Sequence, residues 1–243
     1  MTAAAMNLDA VTSEYRPNGA TAIENDLILN WYPERIIKRF GHCGSLLELG
    51  IGHGYTPGIF NAACDRHVII EGSQVVIDLF NEKSPDFSGD VVFSYFEDFE
   101  TEERFDVIVM GFVLEHVEDP GLVLDRFRKF LKPGGKLFAA VPNAKSMNRR
   151  LGVELGKIDD IYSLNANDLA LGHRRQYCRD TFQQELERHG YSMTYQEGIY
   201  LKPLPLGVLK TLPDFQENLE AMLRVGIEFP DLCVALLMEA EAA

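Results

Sequence analysis

The middle of the chain alternates between short apolar runs and amphipathic segments. Strand-like runs cover 45–49, 67–70, 91–94, 105–110 and 136–141, and helical candidates lie between them at 55–64, 73–81 and 120–131. The runs LLEL, HVII and DVIVM are apolar at almost every position, which is typical of strands buried on both faces of a parallel sheet. Strand–helix–strand repetition at this spacing predicts right-handed crossovers and a doubly wound α/β sheet.

The segments on either side of this alternation follow other patterns. A patchy apolar face predicts a helix over 21–40, ended by Gly41 and Gly44, and the sequence Lys-Pro-Gly-Gly at 132–135 predicts a stop after the helix at 120–131. Residues 142–176 have little periodicity and indicate a loop or short helices. An amphipathic helix at 180–189 and strands at 192–199 and 232–239 follow, with another helix near 214–226.

Composition narrows the class of protein. The 243 residues are 46% hydrophobic, which is enough for one sizeable core, and the formal net charge is −14. Such an excess of negative charge disfavours nucleic acid and anionic membranes as partners. No apolar stretch approaches the ~20 residues needed to span a bilayer. No secretory signal is evident, and the four widely spaced cysteines are expected to be buried thiols, so we expect a cytoplasmic protein.

A glycine-rich turn follows the first predicted strand, with Glu48 directly before Gly50, Gly52 and Gly54. Glycines permit a tight turn and a close approach of ligand to backbone, although an ordinary turn would also explain them. A dinucleotide fingerprint requires G-x-G-x-x-G, but here the third glycine comes one residue early and Tyr55 takes its place. This spacing favours a ligand without phosphate, whose cationic amino group Glu48 could hold.

A second acidic residue, Glu71, ends the second predicted strand about 20 residues beyond the glycine turn. At this position an acidic side chain commonly accepts hydrogen bonds from ribose hydroxyls. A solvated carboxylate at a helix N-terminus would fit the same position. Its pairing with the glycine turn favours the ribose interpretation.

Four features in this order resemble the class I S-adenosylmethionine-dependent methyltransferases. They are the glycine turn with Glu71, the run FDVIVM at 105–110 with LEHVEDP at 114–120, the turn LKPGGKL at 131–137, and the late pair of strands. The resemblance implies a Rossmann-like, seven-stranded, mostly parallel sheet with an antiparallel last strand, helices on both faces and an N-terminal helical cap. It also implies a single methyltransferase domain over 1–243, with the cap at 1–41, the cofactor-binding core at 45–141 and the acceptor side at 142–243.

The same resemblance implies S-adenosyl-L-methionine as cofactor and S-adenosyl-L-homocysteine as product. Glu48 and the three glycines of the turn would hold the methionine part, and Glu71 the ribose. Met110, Gly111 and Phe112 would lie beside the methionine moiety. Phe96 and Asp98 are candidates for contacts to the adenine. Tyr15, an aromatic residue in a polar stretch, could close over the sulfonium through cation–π attraction.

Candidate bases for a hydroxyl acceptor are His116, His173 and Tyr177. His116 follows the fourth predicted strand and could equally be a structural histidine. His173 opens the segment HRRQY, which could also be an exposed basic patch, and Arg174 or Arg175 could bind an anionic group of the acceptor. No spacing of His, Cys, Asp and Glu predicts a metal site.

The sequence therefore favours methyl transfer to an oxygen or nitrogen of a small molecule: a sugar, a sugar nucleotide or a secondary-metabolite precursor. The acceptor pocket is expected to include Trp31–Tyr32, Pro142–Asn143, the loop after the fifth strand and the Pro-rich segment 203–213. An NAD-dependent oxidoreductase and a non-catalytic regulator that binds S-adenosylmethionine are the alternatives. A homodimer is compatible with the sequence.

Overall fold

The computed structural model describes residues 22–243, so the predictions for Tyr15 and the rest of 1–21 lie outside the described residues. The helices are α1 (Ala22–Phe40), α2 (Thr56–Asn61), α3 (Gln74–Lys83), α4 (Pro120–Arg128), α5 (Met147–Glu154), α6 (Ala166–Ala170), α7 (Arg179–Arg188), α8 (Leu206–Leu209) and α9 (Phe215–Gly226). The strands are β1 (Cys43–Leu49), β2 (Cys64–Glu71), β3 (Asp90–Phe93), β4 (Phe105–Gly111), β5 (Leu131–Pro142), β6 (Tyr191–Ile199) and β7 (Ala235–Ala242).

The seven strands form one sheet in the order β3-β2-β1-β4-β5-β7-β6. Strands β1 to β5 pair in parallel, and β7 runs antiparallel to both of its neighbours, β5 and β6. This confirms the predicted Rossmann-like sheet with its antiparallel last strand. The chain order reverses between β1 and β4, which places a crevice for ligands at the carboxyl ends of these two strands.

Both faces of the sheet are buried, as the continuous apolar runs predicted. Leu47 on β1 packs in a cluster that includes Phe127 of α4 and Phe182 of α7. Its neighbour Leu46 faces the opposite side, in a cluster that includes Ile36 of α1. Because successive side chains of a strand point to opposite faces, one apolar run supplies both layers of the core. The predicted N-terminal helical cap is therefore one of the helices that cover the sheet.

Helix α4 ends before 132–135, as predicted, but β5 starts at Leu131 and not at the predicted residue 136, so 132–135 lies inside the strand. Phe105 pairs with Leu131 and Val107 with Lys136, which leaves residues 132–135 as a bulge in β5. The Pro-Gly-Gly segment has the composition of a loop between a helix and a strand. Pairing with β4 on either side keeps it within the sheet.

Other boundaries moved by a few residues. Gly41 ends α1, with a left-handed φ of 75° and an N–H bond to the carbonyl of Ile37 (2.6 Å). Gly44, which was also expected to end that helix, lies within β1 instead. All four cysteines are buried free thiols, as expected. No helix in the described range 22–243 is long and apolar enough to cross a membrane.

Glu239 of β7 is a buried acidic residue that ties the sheet to α1. Its carboxylate is 2.7 Å from Nε of Arg39 and 2.6 Å from Nζ of Lys136. Burial by itself raises the pKa of this carboxyl, but the hydrogen bonds and charges of the two cations outweigh it, so the pKa of Glu239 is lowered.

Glu239→Gln is expected to reduce the free energy of unfolding by about 2 kcal/mol at pH 7, since hydrogen bonds to charged groups contribute on this order. The folded-state pKa lies below the unfolded one, so this stabilisation is present above the unfolded pKa and is lost as the pH falls through the folded pKa. Urea unfolding of both proteins from pH 7 down to pH 3 should show the difference shrinking toward zero. A difference that stayed constant with pH would contradict this assignment.

Candidate active site

A cavity of about 1390 Å³ opens at the carboxyl ends of β1, β2 and β4. Its wall includes Gly50 after β1, Glu71 at the end of β2 and Gly111 at the end of β4. This is the crevice at which open α/β sheets bind ligands. Cavities for one small molecule commonly measure 300–1,000 Å³, so this one has room for a cofactor and an acceptor together.

The glycine turn forms the floor of one end of the cavity. Gly50, Gly52 and Gly54 have φ values of 83°, 54° and 79°, a left-handed conformation that residues with a side chain rarely adopt. The N–H of Gly50 bonds to the carbonyl of Ile70 at 2.8 Å, which fixes the turn to β2. Gly50 and Gly52 line the cavity, whereas Gly54 does not and contributes only to the shape of the turn.

Glu71 is buried and lies on the cavity wall, as the ribose interpretation requires. Its Oε2 accepts from the backbone N–H of Ile51 (3.0 Å), and its Oε1 accepts from that of Ser73 (2.8 Å). The carboxylate is therefore held between the glycine turn and the start of α3. An ionised carboxylate only accepts hydrogen bonds, so hydroxyl groups of a ligand are suitable donors to it.

Glu48 is also buried beside the cavity, and its partners were not evident in the sequence. The hydroxyl of Thr56 donates to Oε1 of Glu48, and Nε2 of His67 lies 3.1 Å from Oε2. Tyr32 of α1 enters from the other side of the cavity. A Cβ at Gly111 would lie only 2.2 Å from the Tyr32 hydroxyl, so the absence of a side chain at Gly111 makes room for this ring.

The remaining predicted cofactor residues divide into two groups. Phe96 and Asp98 line the cavity, and the Phe96 ring would be 3.9 Å from a Cβ placed on Gly50. The side chain of Met110 is fully buried in the core and does not line the cavity, whereas Gly111 and Phe112, which were predicted to lie beside the methionine moiety with it, do line it. Met110 belongs to the strand, where its side chain packs under the helices, and the cavity begins only at the next residue, Gly111.

This end of the cavity fits S-adenosylmethionine. Two buried carboxylates, Glu48 and Glu71, flank a glycine turn that exposes backbone to the cavity. The acidic pair suits a cationic amino group and ribose hydroxyls, and it would repel a pyrophosphate.

Two predicted bases, His116 and His173, meet at the other end of the cavity. Their rings are in edge contact, with centroids 4.7 Å apart. The backbone N–H of Arg174 donates to the carbonyl of Glu115 (2.8 Å), which joins the segment after β4 to the segment before α7. The guanidinium of Arg175 donates to three carbonyl groups of the same turn, those of Leu114, Val117 and Glu118. Arg175 therefore holds these segments together, whereas Arg174, the other candidate for binding an anionic group, lines the cavity.

Glu115 is a cavity residue to which sequence reasoning gave no role. Its side chain is fully buried, and neither carboxylate oxygen has a hydrogen-bond partner from another described residue. Burial raises the pKa of this carboxyl to about 8. Its Oε1 lies 3.9 Å from Nε2 of His116. Burial, and then the neighbouring His173, lowers the pKa of His116 to about 4.

Asp168 is a second cavity residue that the sequence analysis missed. Its Oδ1 lies 3.4 Å from Nδ1 of His173, and its Oδ2 accepts from the backbone N–H of Asn165 (2.9 Å) in the capping box of α6. Burial opposes ionisation of Asp168, but His173, the Asn165 amide and Arg149 together lower its pKa. The capping pattern Asn-x-x-Asp was the signal in the sequence that could have located it.

Tyr177, the third predicted base, does not reach the cavity. It is buried in the core against Phe182, and burial raises the pKa of its hydroxyl. It therefore cannot serve as a base at this site. Within this segment His173, Arg174 and Gln176 line the cavity, whereas Arg175 and Tyr177 do not.

The acceptor end of the cavity differs in part from the prediction. Tyr32, Pro142 and Asn143 line it, but Trp31 and the segment 203–213 do not. Most of this wall comes from the weakly patterned region after β5. Its members are Ser146, Asn148, Arg149, Ile158, Asn165, Asn167, Asp168 and Leu171.

Comparison with known proteins agrees with this geometry. A family model described as a methyltransferase domain matches residues 24–196. The ubiquinone biosynthesis O-methyltransferase of Nitrobacter winogradskyi is 28% identical over 161 residues, which are 65% of this chain. The match spans only 60% of the length of that relative.

Solved structures share the fold at low sequence identity. A methyltransferase in complex with the Haloferax volcanii Trm112 methyltransferase activator is 16% identical, with a TM-score of 0.64 over 96% of this chain and 97% of the other. The N-methyltransferase NodS of Bradyrhizobium japonicum, in complex with S-adenosyl-L-homocysteine, is 16% identical, with a TM-score of 0.58 and the same coverage. With the family match and the cavity, the oxidoreductase alternative is set aside. The chain belongs to the methyltransferase-domain family, and its fold is that of S-adenosylmethionine-dependent methyltransferases.

Proposed function

We propose that the enzyme methylates a hydroxyl oxygen of a small polar molecule, such as a sugar, a sugar nucleotide or a secondary-metabolite precursor. The observation that carries this proposal is the convergence of Glu115, His116 and His173 on the cavity wall. An amine acceptor needs only to be neutral when it attacks, whereas a hydroxyl benefits from groups that help remove its proton. The similarity to an O-methyltransferase gives further support.

The residues of the chain contribute alignment, exclusion of water and removal of the proton. S-Adenosylmethionine supplies an electrophilic methyl group, to which the acceptor oxygen bonds as the carbon–sulfur bond breaks and its electron pair stays on sulfur. Glu48, Glu71 and the glycine turn hold the donor at one end of the cavity. His116 and His173 assist the loss of the hydroxyl proton at the other, with Asp168 fixing the ring of His173. Alignment of this kind can contribute up to ~7–11 kcal/mol to lowering the barrier.

His173→Ala is expected to lower kcat/KM for a hydroxyl acceptor by about 10²–10⁴-fold, the usual contribution of a group that assists proton transfer. The acceptor would be found by screening hydroxylated small molecules and their amine analogues with S-adenosylmethionine labelled in its methyl group. Binding of S-adenosylhomocysteine should be unchanged in the variant, because His173 lies at the acceptor end.

The matched control is His189→Ala, since His189 pairs with Asp125 (3.2 Å) but does not line the cavity. It should retain full activity. Preferential methylation of the amine analogues, at a rate that His173→Ala leaves unchanged, would contradict the hydroxyl acceptor.

A further inference from the structure

We infer that Glu115, His116 and His173 form a binding site for one divalent transition-metal ion at the acceptor end of the cavity. The geometry of these side chains supports the site itself. Its role in activating the acceptor rests on the proposed hydroxyl methylation.

The three side chains already lie close to a ligand arrangement. Each offers one ligand atom, and these atoms are all within 4.8 Å of one another. Ligands bound at ~2.1 Å from a common ion are separated by at most about 4.2 Å, so small side-chain rotations are enough to bring all three to one ion. The backbone bond between Arg174 and Glu115 holds the two contributing segments together.

The carboxylate of Glu115 supplies an independent indication. It is completely buried, and both of its oxygens lack a hydrogen-bond partner from any other residue in the described range. A buried carboxylate without partners is costly, and the cost is removed when a cation binds to it. The nearby guanidinium of Arg175 donates its hydrogen bonds to backbone carbonyls and so does not fill this role.

Both histidines have outer partners of the kind found around metal ligands. A ligating histidine usually donates its second ring N–H to a carboxylate or a backbone carbonyl, which fixes the ring. Nδ1 of His173 faces Asp168 at 3.4 Å, which leaves Nε2 for an ion. The ring of His116 has backbone acceptors at Leu171 and Gly172, and its Nε2 faces Glu115.

The types of ligand indicate which ion binds, and the position of the site on the cavity wall indicates what the ion does there. Two imidazoles and one carboxylate suit Zn²⁺, Mn²⁺, Fe²⁺ or Co²⁺ better than Mg²⁺ or Ca²⁺, which prefer oxygen ligands. Three protein ligands on a cavity wall leave coordination positions open, as in catalytic sites. An acceptor hydroxyl that occupies one of them would have a lowered pKa. His116 and His173 would then assist the loss of its proton as ligands of the ion, and water would accept the proton before methyl transfer.

The test is a titration of the full-length, tag-free, EDTA-treated protein with CoCl₂, followed by visible absorption. We expect a saturable spectrum at one ion per chain that ZnCl₂ abolishes. Glu115→Gln, His116→Ala and His173→Ala should each remove it, and Asp168→Asn should weaken binding by about 10–100-fold, the usual effect of an outer partner. His42→Ala is the control, because His42 pairs with Asp65 at an exposed site outside the cavity and should leave the spectrum unchanged.

Binding of S-adenosylhomocysteine to every variant tests whether the variants are folded. The inference would be overturned if variants that bind S-adenosylhomocysteine normally also bound Co²⁺ with the affinity of the unmodified protein. It would also be overturned if the unmodified protein gave no saturable Co²⁺ spectrum. If a hydroxyl acceptor is turned over by metal-free enzyme that does not bind Co²⁺, the proposed function stands and the metal site fails. If Co²⁺ binds with the expected variant pattern and only amines are methylated, the metal site stands and the proposed function fails.

Discussion

Glu71→Ala is expected to weaken the binding of S-adenosylmethionine and S-adenosylhomocysteine by at least about 100-fold. A carboxylate that accepts from two ribose hydroxyls contributes about 1.5–3 kcal/mol for each hydrogen bond, and each 1.4 kcal/mol corresponds to a factor of ten in affinity. The substitution also releases the backbone N–H groups of Ile51 and Ser73, which loosens the glycine turn. Both effects act in the same direction.

Calorimetric titration with the two sulfur compounds and with NAD measures this effect directly. Asp78→Ala is the matched control, since it removes an exposed carboxylate from the helix that follows Glu71. Asp78→Ala should bind the two sulfur compounds with the affinity of the unmodified protein. NAD should bind neither to this variant nor to the unmodified protein. If Glu71→Ala retained affinity within a few-fold, the ribose would have to be held elsewhere in the cavity.

Arg35→Met is expected to reduce the free energy of unfolding by about 3 kcal/mol, because it leaves a buried carboxylate without its counter-ion. Glu197 is only 1% exposed, and the guanidinium of Arg35 binds both of its oxygens, at 2.9 and 2.7 Å. Tyr195 donates a further hydrogen bond to Glu197 (2.8 Å). Because this bond remains in the variant, the reduction in the free energy of unfolding is expected near the lower end of the range for broken buried ion pairs. This pair joins α1 to β6, so the loss should appear as lower global stability.

Urea unfolding of the single variants and of the double variant Arg35→Met, Glu197→Met tests this account. The double variant should recover most of the lost stability, since an apolar pair of similar size carries no buried charge. The control is Lys38→Met, because Lys38 lies on the same helix but outside this pair. This substitution should change the free energy of unfolding little. A double variant that is as unstable as the sum of the two single variants would show that the charges are not coupled.

Much of the fold could be predicted because its signals are local. The apolar runs of β1, β2 and β4 are long enough to identify buried parallel strands, and the glycine turn and Glu71 lie at strand ends where the chain order fixes their neighbours. Boundaries were less certain, because a bulge such as 132–135 has the composition of a turn, and only pairing with the next strand keeps it in the sheet.

Most residues predicted for the cofactor end lie at the cavity, and the residues predicted for the acceptor end do so in part. Glu48, Gly50, Gly52 and Glu71 are close to one another along two consecutive strands. The groups around His173 come from distant segments without periodic pattern, so their convergence depends on how those segments pack. Met110 and Tyr177 belong to segments that reach the cavity, but their own side chains lie in the core, and a sequence motif does not show which way a side chain points.

The sequence by itself determined the order of strands and helices, the glycine turn and the acidic residue that follows it, because each depends on residues a few positions apart. The tertiary structure decided which side chains share the acceptor end of the cavity. Glu115, His116, Asp168 and His173 meet there because the segment before α7 is hydrogen-bonded to the turn after β4. Contacts between distant segments leave no periodicity or regular spacing in the sequence, because they form only when the core packs and brings those segments together.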